Sequence, residues 1–167
     1  RFASRNAVLK LLGLGIVRGG LDLMMRRSDM MSQWIEMLDR YSRDEAALEL
    51  RSGVLDSGLS YCLELLFQKQ RTTQPHESEE IACTIVRMWR ISHRLLVDDD
   101  QSIRSRMSVI LSRAMGFKFS KNPLLCATIA LNRVRDIAFS WKKSRLMFTD
   151  TLTDWFCSGI APCLLKM

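Results

Sequence analysis

Residues 89–116 read WRISHRLLVDDDQSIRSRMSVILSRAMG, and this stretch decides the fold. Before the acidic triplet, Ile81, Ile85, Trp89, Ser92 and Leu96 recur at helical spacing. After it, Ile103, Met107, Ile110, Leu111 and Ala114 share one helical face. Asp98-Asp99-Asp100 ends the first helix and can cap the second, placing negative charge where the helix macrodipole favours it. Arg104, four positions after Asp100, is placed to bond back to the turn, and Gly116 stops the second helix. The unit is thus two amphipathic helices joined by a short polar turn.

The same design extends outward in both directions. Downstream, a basic turn over 117–122 leads to Pro123, which opens a helix reaching about Trp141. A last helix covers about 143–158. Upstream, the segment RTTQPHE at 71–77 is the clearest loop, with Ser78 as the following N-cap. A helix over about 45–70 carries the stripe Leu48, Leu55, Leu59, Cys62, Leu63, Leu66 and Phe67, with Gly53 and Gly58 as weak points. Before it, Ser28 or Asp29 caps a helix bearing Met31, Trp34, Ile35 and Leu38. Residues 2–27 are helical, divided by Gly13, Gly15 and the pair Gly19-Gly20 into two short pieces. No segment alternates strictly enough for a strand.

The expectation is an all-α chain, 1–167 forming one helical-repeat region of antiparallel helix pairs. A HEAT- or armadillo-like superhelix buries such stripes, and so does a compact bundle. Because the first residue is Arg1 and residues 7–17 and 155–165 are strongly apolar, the chain reads as part of a longer array that stacks on further repeats and self-associates when isolated.

Composition bounds the function. Hydrophobic residues make up 47% and charged residues 26%, the balance of a folded protein. The apolar run 11–17 is too short to span a bilayer or serve as a signal peptide. Five cysteines without a CxxC pair, mostly among apolar neighbours, fit buried thiols in the reducing cytoplasm. The sequence has no P-loop, GxGxxG, HExxH or GxSxG motif. A non-enzyme is therefore expected, with no catalytic residues, metal or cofactor of its own. Consecutive aspartates at 98–100 do not share one face, which favours a capped turn over a metal site. The four tryptophans lie on or beside apolar stripes and read mainly as core.

Charge placement is more informative. Residues 1–84 carry 11 basic and 12 acidic side chains, whereas residues 85–167 carry 14 and 6. The 71–77 loop separates these neutral and basic halves. A one-sided basic surface attracts polyanions. The candidate nucleic-acid-binding residues are Arg87, Arg90, Arg94, Arg106, Arg113, Lys118, Lys121, Arg133, Lys142 and Lys143. Arg104 is set apart as structural. A protein–protein adaptor whose groove grips a peptide or helix is the competing reading.

The segment 89–116, with its Asp-rich turn followed by Ile103-Arg104, resembles a HEAT or armadillo repeat. Upstream, Trp34 and Leu38, then Asp44-Glu45, Arg51 and Leu59, resemble the preceding repeat of the THADA-type proteins, helical-repeat regulators of tRNA 2′-O-methylation. The likeness spans about 30–145 and includes the Pro123 helix; it departs from the family at Ser105-Arg106-Met107, where small residues are usual. The resemblance implies a non-catalytic partner of an FtsJ-like methyltransferase that holds tRNA, with catalysis and S-adenosylmethionine belonging to the partner.

Overall fold

The computed structural model describes residues 2–43, 46–72, 75–116 and 123–157. Among these the chain is helical, with no strand. The elements are α1 (Phe2–Arg26), α2 (Ser28–Tyr41), α3 (Leu48–Leu55), α4 (Leu59–Thr72), α5 (Pro75–Leu96), α6 (Gln101–Met115), α7 (Pro123–Ala138) and α8 (Lys142–Cys157).

Local chemistry sets the boundaries of the deciding stretch. The Asp100 side chain accepts the Ile103 N–H at 3.0 Å, capping α6. Arg104 donates to the carbonyls of Asp98 and Asp99 at 2.6 and 2.8 Å, so the acidic turn is held from the helix that follows it. Gly116, at φ 69, ends α6 in the left-handed conformation. In α1, Gly20 at φ 71 breaks the helix where the glycine pair predicts.

The expected cap of α2 is not formed, since Arg27 precedes the helix without a side-chain cap and Ser28 and Asp29 lie within it. Three boundaries also differ from expectation. The helix expected over 45–70 is divided: α3 ends at Leu55, and α4 begins after Gly58, which turns at φ 87. The expected 71–77 loop is largely helical, since α4 runs through Thr72 and α5 opens on Pro75; only 73–74 lie outside the described residues. Proline suits the first helical position because its missing N–H has no partner there, so Ser78 lies inside α5 and is not its cap. Finally, α7 stops at Ala138, leaving Trp141 in the connection to α8.

The helices stack in parallel registers. Arg87 and Arg94 of α5 bond to Ser32 and Asp39 of α2, each 55 positions earlier. A constant separation along two helices means that they run the same way. By the same logic α6 parallels α3 and α4, because Arg106 meets Ser52 and Asp56 while Arg113, two turns on, approaches Glu64. Lys143 and Phe148 of α8 meet Glu79 and Trp89 of α5 in rising order. The 97–100 turn folds α6 back along α5. Beyond α6 the alternation is less regular, and both α7 and α8 rest on α5.

α5 is therefore the centre of the molecule, touching α2, α4, α6, α7 and α8. Its burial follows from a sequence apolar on most sides: Ile81, Ile85, Met88, Trp89, Ile91, Leu95 and Leu96 all belong to the core. Trp34 is wholly buried and Trp89 nearly so, while Trp141 is half-buried and the Trp155 side chain lies outside the described residues. Across the two registers, Arg51 of α3 donates to both carboxylate oxygens of buried Asp98 at 2.9 Å and to Asp99 at 2.6 Å. This buried ion pair fastens α3 to the α5–α6 turn.

Candidate nucleic-acid interface

The parallel pairing of α2 and α5 brings two rows of polar residues face to face. On α5, Arg87, Arg90 and Arg94 recur at three- and four-residue intervals, so they share one edge of the helix. On α2 and just beyond it, Glu36, Asp39, Arg40 and Arg43 occupy the side away from the buried Trp34–Leu38 stripe. Between the rows lies a cleft of about 530 Å³ lined by Ile35, Glu36, Asp39, Arg40, Arg43, Arg87, Arg90 and Ile91. The two isoleucines are buried and give it an apolar floor.

One carboxylate organises the rim. Asp39 accepts from Arg43 at 2.8 Å and from Arg94 at 2.9 Å, and Arg90 lies 3.8 Å away. Burial pushes the Asp39 carboxyl upward, but the hydrogen bond from Arg43 and the charges of Arg94 and Arg90 outweigh it and hold its pKa below the ordinary carboxylate value. Arg94 is half-buried and also donates to the Asp39 carbonyl and Ser42 hydroxyl, which makes it a bolt between α5 and the end of α2. Among the described residues Arg87 reaches only the Ser32 hydroxyl, at 3.3 Å. Arg40 is exposed and has no hydrogen-bond or ion-pair partner among the described residues. Among the described residues, guanidiniums thus outnumber the carboxylates Glu36 and Asp39 around the cleft, and an anion entering it meets forked donors over an apolar floor.

The other expected residues are dispersed. Arg106 bonds to Ser52 and Asp56, which neutralises it. Arg113 is exposed, 4.0 Å from Glu64. Arg133 donates to the Met115 carbonyl at 2.7 Å and so satisfies the C-terminal end of α6. Lys142 and Lys143 are exposed at the start of α8, where the Lys143 backbone N–H donates to Glu79. Lys118 and Lys121 lie outside the described residues. Of the ten, the structure gathers Arg87, Arg90 and Arg94 in one place. It joins them to Arg40 and Arg43, which a charge count by halves of the sequence passes over because distant acids cancel them.

The buried thiols and imidazole belong to the core. Burial lifts the Cys62 thiol to about 12 and raises Cys83 and Cys126 above the ordinary thiol value. Burial likewise lowers the His93 pKa to about 4, against the edge of Trp89. Among the described residues no three His, Cys, Asp or Glu side chains cluster as a metal site would require, and no helix is long and apolar enough to cross a membrane. Comparison with protein-family models, curated proteins and solved structures found no match to this chain.

Proposed function

We propose that this protein is a non-catalytic scaffold of the HEAT or armadillo type that binds RNA through the α2–α5 cleft. The observation that carries this reading is the convergence of Arg40, Arg43, Arg87 and Arg90 around one opening that, among the described residues, two carboxylates line. Phosphate contacts of this kind position an RNA without reading its sequence. The parallel stacking of α2 on α5 and of α3–α4 on α6 supports repeat architecture, since equivalent helices of successive repeats pack in the same sense. The resemblance to THADA-type regulators narrows the RNA to tRNA and adds an FtsJ-like methyltransferase as partner, at work in the cytoplasm.

The test is tRNA binding across a salt series, comparing the native chain with a variant in which Arg40, Arg43, Arg87 and Arg90 are all Gln. Arg94 is retained because it bolts two helices together. Neutralising four single-strand phosphates gives a log–log salt slope of about −3. The variant should lose most of that slope while its helical circular dichroism is unchanged. A folded native chain that binds no tRNA at low salt removes RNA from this surface and leaves the protein-adaptor reading in its place.

A further inference from the structure

α1 carries a second surface, distinct from the cleft. Its inner face buries Leu9, Gly13 and Ile16 and packs on α2, α3 and α4. On its outer face Val8, Leu11 and Leu14 are 46%, 67% and 48% exposed. These are not scattered residues. Ser4, Ala7, Leu11, Leu14 and Arg18 alternate at three- and four-residue steps, the spacing at which one helix seats against another. Val8 and Gly15 lie one position further round, and a Cβ at Gly15 would meet nothing within 4 Å. Large side chains thus alternate with the depressions left by Ala7 and Gly15, a surface shaped for interdigitation.

Charge specifies what fits there. Arg5, Lys10 and Arg18 are exposed, and no ion pair engages them among the described residues. At about 100° per residue, Lys10 borders the stripe on the Leu14 side and Arg5 on the Val8 side. Residues 1–21 hold four basic side chains and no acidic one. The first turn of α1 also lacks an acidic residue, so Arg5 places positive charge where the macrodipole disfavours it.

We propose that this face is a docking surface for an amphipathic helix whose apolar stripe is flanked by Asp or Glu. Acidic flanks would pair with Lys10 on one side and Arg5 on the other and would complement the positive end of α1, while Arg18 closes the stripe at its far end. A second copy of this chain is the wrong occupant, because pairing α1 with α1 would set basic flanks against each other across a desolvating seam. A lipid surface is less well matched: the stripe is narrow and notched, and no aromatic side chain stands on it among the described residues. The proposal is independent of the RNA reading, since among the described residues none of α1 lines the α2–α5 cleft.

The experiment is a display selection on the 167-residue chain, using a library of three-heptad peptides of about 21 residues. Seam positions are varied among Leu, Ile, Val and Ala, and flanking positions are acidic in one half of the library and Lys in the other. Acid-flanked peptides should be enriched, and Leu11→Asp with Leu14→Asp should weaken them roughly tenfold or more. Lys10→Glu with Arg5→Glu should turn the preference toward Lys-flanked peptides. All four positions are exposed, so circular dichroism should be unchanged. Absence of enrichment, or binding indifferent to Leu11 and Leu14, overturns the proposal. Leu11-dependent dimerisation of the chain, or Leu11-dependent binding to phosphatidylserine vesicles, overturns it in favour of a second copy or a lipid surface.

Discussion

His93 shows how much a single residue depends on where the fold puts it. It lies one turn beyond Trp89 on the most buried helix, with the two ring centroids 5.7 Å apart. Burial, and then the charge of Arg94, lower its pKa from 6.5 to about 4. The unfolded chain therefore binds the proton more readily than the folded one between those two values. Stability is full above pH 6.5, falls as pH drops, and levels off near 4, with a total loss of up to about 3 kcal/mol. Urea unfolding measured from pH 7 to 5 should show this slope, and His93→Phe should flatten it. A variant that keeps the native slope would place its origin elsewhere. None of this was legible in the sequence, where His93 is one polar position in an amphipathic helix and its burial depends on the helices packed around α5.

Glycine in α1 illustrates the scale of the element. In the sequence Gly13 and Gly15 look alike, as two weak points of one helix. In the structure α1 crosses the α3–α4 turn at Gly13, where a Cβ would fall inside the Ser57 carbonyl, while Gly15 faces open space. Gly58 presses back on the Gly13 backbone from the other side, and Gly53 accommodates the Asn6 side chain, which donates to the Glu49 carbonyl. Gly13→Ala should destabilise the protein by at least roughly 1–3 kcal/mol, because backbone must shift to admit a methyl group. Gly15→Ala should stabilise it by about 0.5–1 kcal/mol through helix propensity alone. Thermal unfolding of the two variants measures both, and equal effects would rule out the crossing at Gly13. The glycines that weaken helix prediction are here the ones that let helices approach.

For the whole molecule, the Arg51–Asp98 pair matters most, because it joins residues 47 positions apart. Arg51→Met would strand a buried carboxylate and should cost roughly 3–5 kcal/mol by urea unfolding. Adding Asp98→Leu should recover part of that loss, since two apolar side chains strand no charge; a double variant that costs the sum of the two single variants would show that the pair contributes nothing beyond its separate parts. The sequence marks Asp98 as a turn residue and Arg51 as one residue of a repeat-like pattern. Their contact exists only once α3 lies beside the α5–α6 turn.

The sequence by itself determined most of the helices, because their signals are local: apolar residues every three or four positions, Asp100 as a cap, Gly116 as a stop, and Pro123 and Gly20 as breaks. It also determined most of the core stripe from Trp34 to Ala114, since one face of an amphipathic helix must leave water whatever it packs against. Tertiary structure alone decided which charges are spent and which remain available. Arg94, Arg106 and Arg133 look as exposed in the sequence as Arg40, yet each is engaged by a group brought to it from another helix. Arg40 and Arg43, hidden in a neutral half, join the cleft because α2 stacks in parallel on α5. The physical reason is range: helix formation is set by neighbours within a turn, whereas an ion pair is set by whichever residue the packing of helices carries to within a few ångströms.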